Sequence, residues 1–306
     1  MMKSGLLIDK KRCGADAAES ADMPYRKSGQ WREVFLRLIR NKLAMVGFGI
    51  VVALILMGIF ADILAPYGYD EQDMSRRFAD ISSEHLFGTD NFGRDILSRI
   101  IYGARVSLLI SFGSVIISLI IGGVLGLLAG YFQGAPDTII MRIMDVFMAV
   151  PMFMLAVAVQ AVLGSGNFNT MMALAISSVP SNVRILRATV LSIRDQDFVR
   201  AARATGSNDW RIIVRHILPN TIGPVLVNAT LGLGGCIMAI SGLSFVGLGV
   251  SPPTAEWGAM LNAGRAFVRD YWPIITFPGF AILLAMFGFN VFGDGLRDAL
   301  DPRLKR

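Results

Sequence analysis

The chain has 306 residues, of which 54% are hydrophobic and only 17% charged. A soluble domain carries about 25% charged residues, so an ordinary water-soluble domain is excluded, and the gathering of the apolar excess into long blocks points to a membrane protein. Cys13 and Cys236 sit apart and imply no disulfide framework or metal cluster. His85 and His216 both lie in polar stretches, which removes most metal and acid–base chemistry. The net charge of +6 suits cytoplasmic loops facing anionic lipid rather than nucleic acid.

The apolar patch Gly5-Leu6-Leu7-Ile8 is too short for the core of a cleavable signal peptide. A polar N-terminal tail, 1–42, is followed by a first span at 43–64 and a polar outer loop at 65–101. A five-helix core at 102–296 and a tail at 297–306 complete the division. Within the core, spans are expected at Val106–Phe132, Thr138–Leu163, Asn169–Leu191, Ile217–Val246 and Trp272–Phe292. The fold expected is therefore an all-α membrane protein with six transmembrane helices.

Orientation follows from the lysine and arginine bias. The N-terminal tail, the segment after the fourth span (Arg194, Arg200, Arg203, Arg211, Arg215) and the C-terminal tail (Arg297, Arg303, Lys305, Arg306) are basic, which places them in the cytoplasm. The acidic first loop and the stretch around Glu256 then face out.

Gly122, Gly126 and Gly130 share one face of the second span. They suit close packing inside the bundle; a homodimer seam is the other reading. Pro151, Pro180, Pro224 and Pro278 each remove a backbone hydrogen bond from a span. They are ordinary kinks, or they mark helices lining a path that opens and closes. Arg142 and Asp145, three apart, lie near one end of the third span, and Asp294 ends the sixth. Charges so near the interface can snorkel or pair, or serve the path. Asp145, Pro151, Asn228 and Asn290 are candidates for its lining, with Gln160 a further polar position; helix–helix hydrogen bonding is the alternative.

No Gly-x-x-x-x-Gly-Lys-Ser/Thr loop is present, so ATP binding by a P-loop is not expected of this chain. No catalytic or metal-binding residue is expected either: Ser244 in Gly-Leu-Ser-Phe-Val-Gly is a superficial match to a nucleophile motif. Ser251-Pro252-Pro253 stiffens the exit from the fifth span, and Trp257 is an aromatic suited to the interface. These residues suggest an outer gate or a platform for a partner, or a plain anchored loop.

The most informative stretch is Asp197–Asn220, DFVRAARATGSNDWRIIVRHILPN. Ala201, Ala202 and Ala204 favour a short helix. Gly206 allows a sharp bend, Asn208 or Asp209 can cap a second short helix starting at Trp210, and Pro219 opens the next span. Two short helices meeting at a glycine make a compact knob, suited to a partner's groove.

This stretch resembles the EAA loop of ABC importer permeases, in which Glu-Ala-Ala is followed by a glycine and then by an isoleucine–leucine–proline ending. Ala201, Ala202, Gly206, Ile217, Leu218 and Pro219 match, while Arg200 stands where the family has glutamate. The stretches His85–Leu108 and Leu243–Leu261 are similar to segments of the dipeptide/oligopeptide/nickel permease family, and within it the chain looks like the "C" subunit. The resemblance implies a type I importer permease in a prokaryotic inner membrane, with the coupling loop at 192–219. Partners implied are a homologous second permease, two cytoplasmic P-loop ATPase subunits that hold the ATP and Mg, an extracytoplasmic solute-binding protein, and membrane lipid. No cofactor is implied for this chain and no nucleic acid. Solutes carried within the family include di- and oligopeptides, glutathione and nickel complexes. A secondary carrier would need inverted repeats or a midplane ion site, and an intramembrane enzyme would need reactive groups in the spans; the sequence offers neither.

Overall fold

A computed structural model describes residues 30–300. Cys13, the basic residues from Lys3 to Lys27, and Arg303, Lys305 and Arg306 lie outside the described residues. Among the described residues every regular element is a helix, apart from one isolated bridge between Thr89 and Asp95.

The end of the expected polar tail is a helix, α1 (Gln30–Arg40). Phe35, Leu36 and Ile39 are exposed on it, while Val34 and Leu38 are partly covered. Asn41 caps the next helix, its Oδ1 accepting from the Ala44 N–H at 3.2 Å. The first span is α2 (Lys42–Ile59) with the single turn α3 (Ala61–Leu64) behind it.

The outer loop is folded, not merely solvated. Buried Asp95 caps the helix α4 (Ile96–Phe132) by accepting from the Ser98 N–H at 2.7 Å, and its other oxygen lies 3.0 Å from His85 Nδ1. Asp90 holds Arg94 at 2.7 Å, both buried. The Tyr271 hydroxyl donates to the Ala79 carbonyl at 2.5 Å. Burial pushes that hydroxyl above its ordinary pKa range, so it stays a donor. Phe87 stacks on Phe277 with ring centroids 4.0 Å apart. Because Asp95 caps it, α4 (Ile96–Phe132) starts well before Val106, where the span was expected. At 1.5 Å per residue its 37 residues reach about 55 Å, against an apolar bilayer layer of about 30 Å.

The expected third span is broken. Helices α5 (Gly134–Met148) and α6 (Met152–Leu163) meet at 88° around Pro151. Helix α7 (Asn167–Arg194) follows, then α8 (Asp197–Ala204) and α9 (Asp209–Ile212). The latter runs through a π-helical turn, Ile213–Ile217, into α10 (Leu218–Phe245). Helices α11 (Trp257–Gly264) and α12 (Pro273–Leu300) complete the fold. Pro180, Pro224 and Pro278 lie inside unbroken helices. Among the described residues, α2, α4, the run Asp209–Phe245 and α12 are long and apolar enough to cross a membrane, and α5–α6 makes a fifth as one broken span. The expected fourth span is α7. Its 28 residues are long enough, but it carries Arg184, Arg187 and Arg194 at one end and a serine and asparagine stripe along its length.

The glycine face of α4 lies against α7. A Cβ at Gly122 would fall 2.7 Å from Asn182 Cβ, at Gly126 2.8 Å from the Val183 carbonyl oxygen, and at Gly130 2.8 Å from Val190 Cβ. Helix α2 approaches α12 in the same way, where a Cβ on Gly47 would fall 2.7 Å from the Phe292 nitrogen. Gly126→Val is therefore expected to overpack the seam by roughly 1–3 kcal/mol. Gly123→Ala, whose Cβ would meet only Leu186 at 3.8 Å, should be tolerated. Melting of the detergent-solubilised protein distinguishes them; equal melting temperatures would mean that the seam tolerates a side chain.

Candidate functional site

Two features stand out along the bundle, a knob between α7 and α10 and a cavity midway along the same helices. The knob has its own core. Val199, Ile212, Ile213 and Ile217 are buried and pack on Leu186, Val190, Ile193 and Tyr131. Burying each such side chain is worth about 1.5–3 kcal/mol. Polar bonds add position. The Tyr131 hydroxyl donates to Asp209 Oδ1 at 2.5 Å, Arg194 Nη1 donates to the Tyr131 carbonyl at 2.8 Å, and the Arg203 guanidinium lies 5.9 Å from the Tyr131 ring centre. The end of α4 thus anchors both halves of the knob. Tyr131 was not singled out in the sequence, and Arg194 only as one of the basic residues that set orientation, because the pairing that makes them matter is not local.

Gly206 has φ +78°, so its conformation is left-handed, while a Cβ there would meet nothing within 4 Å. The constraint is backbone conformation, not space. Asn208 caps α9, its Oδ1 accepting from the Trp210 N–H at 3.3 Å. The second half of the knob is not a separate helix. Leu218 N–H reaches back to the Ile213 carbonyl, an i→i−5 bond. Pro219, lacking an N–H, cannot continue the regular ladder. Arg200, Ala201, Trp210, Leu218 and Pro219 are exposed, whereas Ile217 is fully buried. Ala202, unlike Ala201, is half-buried against the knob's own core.

The cavity, about 360 Å³, lies between α4, α6, α7 and α10. Its polar wall is Ser178, Ser181, Asn182 and Asn228; Met152, Phe153, Ala156, Leu174 and Cys236 are among its apolar lining. Asn228 Nδ2 donates to Asn182 Oδ1 at 2.7 Å, and Asn182 Nδ2 donates to the Ser118 hydroxyl. This ladder ties three helices together. A smaller space, about 120 Å³, lies on the other side of Asn182 and Asn228. Asn182 went unremarked in the sequence, although Ser178 and Asn182 are one turn apart on α7.

Of the expected path residues, Asn228 is on the cavity wall, and Pro151 adjoins it through Met152 and Phe153. Asp145 is elsewhere, half-exposed and paired with Arg184 of α7 at 3.0 Å rather than with Arg142. Asn290 sits in the α10–α12 seam, in the space left by Gly234. Gln160 is buried, its Nε2 donating to the Gly164 carbonyl at 2.8 Å.

At the end opposite the knob, Pro252 and Pro253 are exposed and joined by a cis peptide bond. Trp257 is not an interface aromatic. It is fully buried, its Nε1 donates to the Ile100 carbonyl at 3.0 Å, and its indole fills the space left by Gly103, where a Cβ would lie 2.8 Å from the ring. Glu256, also fully buried, caps α11 by accepting from the Gly258 and Ala259 N–H groups at 2.9 and 2.8 Å. Trp257 thus pins α11 to α4.

With this geometry in place, comparison with known proteins is informative. Residues 122–306 match the family described as binding-protein-dependent transport system inner membrane component, and residues 29–80 match the N-terminal TM domain of oligopeptide transport permease C. The chain is 47% identical over 281 residues to the dipeptide transport system permease protein DppC of Alkalihalophilus pseudofirmus, covering 92% of each chain. It is 44% identical to the glutathione transport system permease protein GsiD of Pectobacterium atrosepticum over 276 residues, 90% of this chain and 92% of that one. An inward-facing structure of the MetNI methionine ABC transporter aligns with TM-score 0.54 at 19% identity, over 66% of this chain and 96% of that chain, which shows a shared fold.

Trp257→Ala should cost about 3–5 kcal/mol of stability and lower the yield of monodisperse protein, while exposed Pro252→Ala should not. Size-exclusion profiles and melting of the two variants check this; a stable Trp257→Ala protein would mean that the α11–α4 contact is dispensable.

Proposed function

The chain belongs to the binding-protein-dependent transport system inner membrane components and is the permease subunit of an ABC importer, and on that premise we propose that it forms half of a translocation path for small peptides and takes up the force of ATP hydrolysis through the knob at 197–217. The observation that carries the coupling role is the knob's construction: a rigid apolar core, an exposed face, and direct continuity into the two helices, α7 and α10, that wall the cavity. A push on such a body moves those helices rather than bending a loop.

The cavity favours a peptide over a metal ion as solute. Its polar groups are hydroxyls and amides, which can both donate to and accept from peptide bonds, and no carboxylate or imidazole is on its wall. Relatives named for dipeptides and for glutathione, itself a peptide, support the same class. The working assembly in this reading contains a second permease, two ATPase subunits that bind ATP and Mg, and a solute-binding protein. The termini and the knob face the cytoplasm, as the arginine bias requires.

Reconstituted with those partners, the chain should give ATP-driven dipeptide uptake that requires loaded binding protein, and the purified chain alone should hydrolyse no ATP. Uptake independent of ATP would overturn the reading. For orientation, single cysteines are placed at exposed Ser83 and Ala204 in a background lacking Cys13. An impermeant reagent should label the first in intact cells and the second only after lysis; equal labelling in intact cells would refute the orientation.

A further inference from the structure

We propose that the knob fits a groove walled by carboxylates on the ATPase subunits, with Arg200, Arg211 and Arg215 supplying the complementary charge; this deepens the coupling role proposed above and rests on it. Between Asp197 and Ile217 the chain carries four arginines against two aspartates. The structure sorts them. Asp209 is engaged by the Tyr131 hydroxyl, and Arg203 lies over the Tyr131 ring. Among the described residues Arg200, Arg211 and Arg215 form no ion pair or side-chain hydrogen bond, and all three are exposed. They are free for a partner.

The apolar surface beside them has the composition of an interface centre. Trp210 is 61% exposed, Val214 58% and Phe198 39%, and tryptophan and arginine are the residues on which binding energy concentrates. The apolar residues facing the bundle belong to the knob's own core, while Trp210 and Val214 stand outward and Phe198, its ring centre 6.4 Å from that of His216, remains part-exposed beside them. A rim of one charge steers association with a groove of the other and rejects grooves of like charge. A protein groove is favoured over an anionic membrane surface because Asp197 stands on the same exposed helix as Arg200. A groove can place its carboxylates opposite the arginines alone, whereas a lipid surface repels the aspartate as it attracts them.

The test is made on the complete transporter, comparing the native chain with Arg200→Glu/Arg211→Glu/Arg215→Glu, the native complex serving as the control for coupling itself. Since these exposed side chains form no ion pair or side-chain hydrogen bond among the described residues, the variant should remain monodisperse and membrane-inserted. ATPase subunits retained on capture of this permease should fall about tenfold at physiological ionic strength. For the native complex, retention should weaken as salt rises to about 0.5 M. Lysine substitutions at the acidic wall of the ATPase groove should restore the variant. If the native chain retains its ATPases and the variant does so equally at every salt concentration, the charge assignment is overturned while the coupling role stands. If the native chain retains none, the coupling role itself fails. If the variant loses only a dependence of activity on anionic lipid, with ATPase retention unchanged, the arginines serve the membrane and the proposal is wrong.

Discussion

The contact on which the rest depends is backbone against backbone, α4 along α7. Lipid offers apolar surface as good as leucine, so helices in a bilayer gain little by burying apolar side chains against each other. They associate where small residues let them approach closely. Gly122, Gly126 and Gly130 provide that approach over three successive turns. The consequence reaches past the seam. The last turn of α4 brings Tyr131 to the knob and the last turn of α7 brings Arg194 to Tyr131. One seam therefore positions the cavity in its middle and the knob at its end.

The opposite end is organised by polar groups rather than by small ones. Asp95, Glu256, Asp90 and Arg94 are all buried there, and each is satisfied by a helix N-terminus, a backbone N–H or an opposite charge. Removing one member of such a set leaves the other buried and unpaired, which is strongly destabilising. That is a structural reason for Asp90 and Asp95 in the first loop. It also explains why Trp257 went into the core: Glu256 starts α11 inside the protein, and the following residue has nowhere to point but Gly103.

Features that depend on neighbours in sequence were legible beforehand. The bend at Gly206, the Asn208 cap and the position of Pro219 are local backbone chemistry, and the structure has all three. Features set by distant neighbours were not. Nothing near Trp257 distinguishes a buried indole from an interfacial one, and nothing near Ala202 says which side of α8 faces the knob's core. Two prolines make the same point: Pro180 lies in a helix held to α4 at Val183, Leu186 and Val190 and stays continuous, whereas the chain breaks at Pro151, and nothing in either local sequence tells the two apart.

The break at Pro151 is what makes the cavity. A proline inside a span forfeits a ladder bond, and the residue before it is driven out of the helical region. Here the chain turns by 88° between α5 and α6. Had the helix run straight, Met152 and Phe153 would have followed α5. Instead the turn carries Phe153 onto α10 at Gly242, where a Cβ would lie 2.9 Å from the ring, and leaves Met152, Phe153 and Ala156 walling the space beside Asn182 and Asn228. The ladder from Ser118 through Asn182 to Asn228 spans the same helices that the knob joins. Any relative movement of α7 and α10 must stretch or re-form those two hydrogen bonds. Amides suit that position: each carries both donors and acceptors, so a bond lost between the helices can be replaced by one to water or to a passing solute, and the cavity can change shape without leaving a buried polar group unpaired.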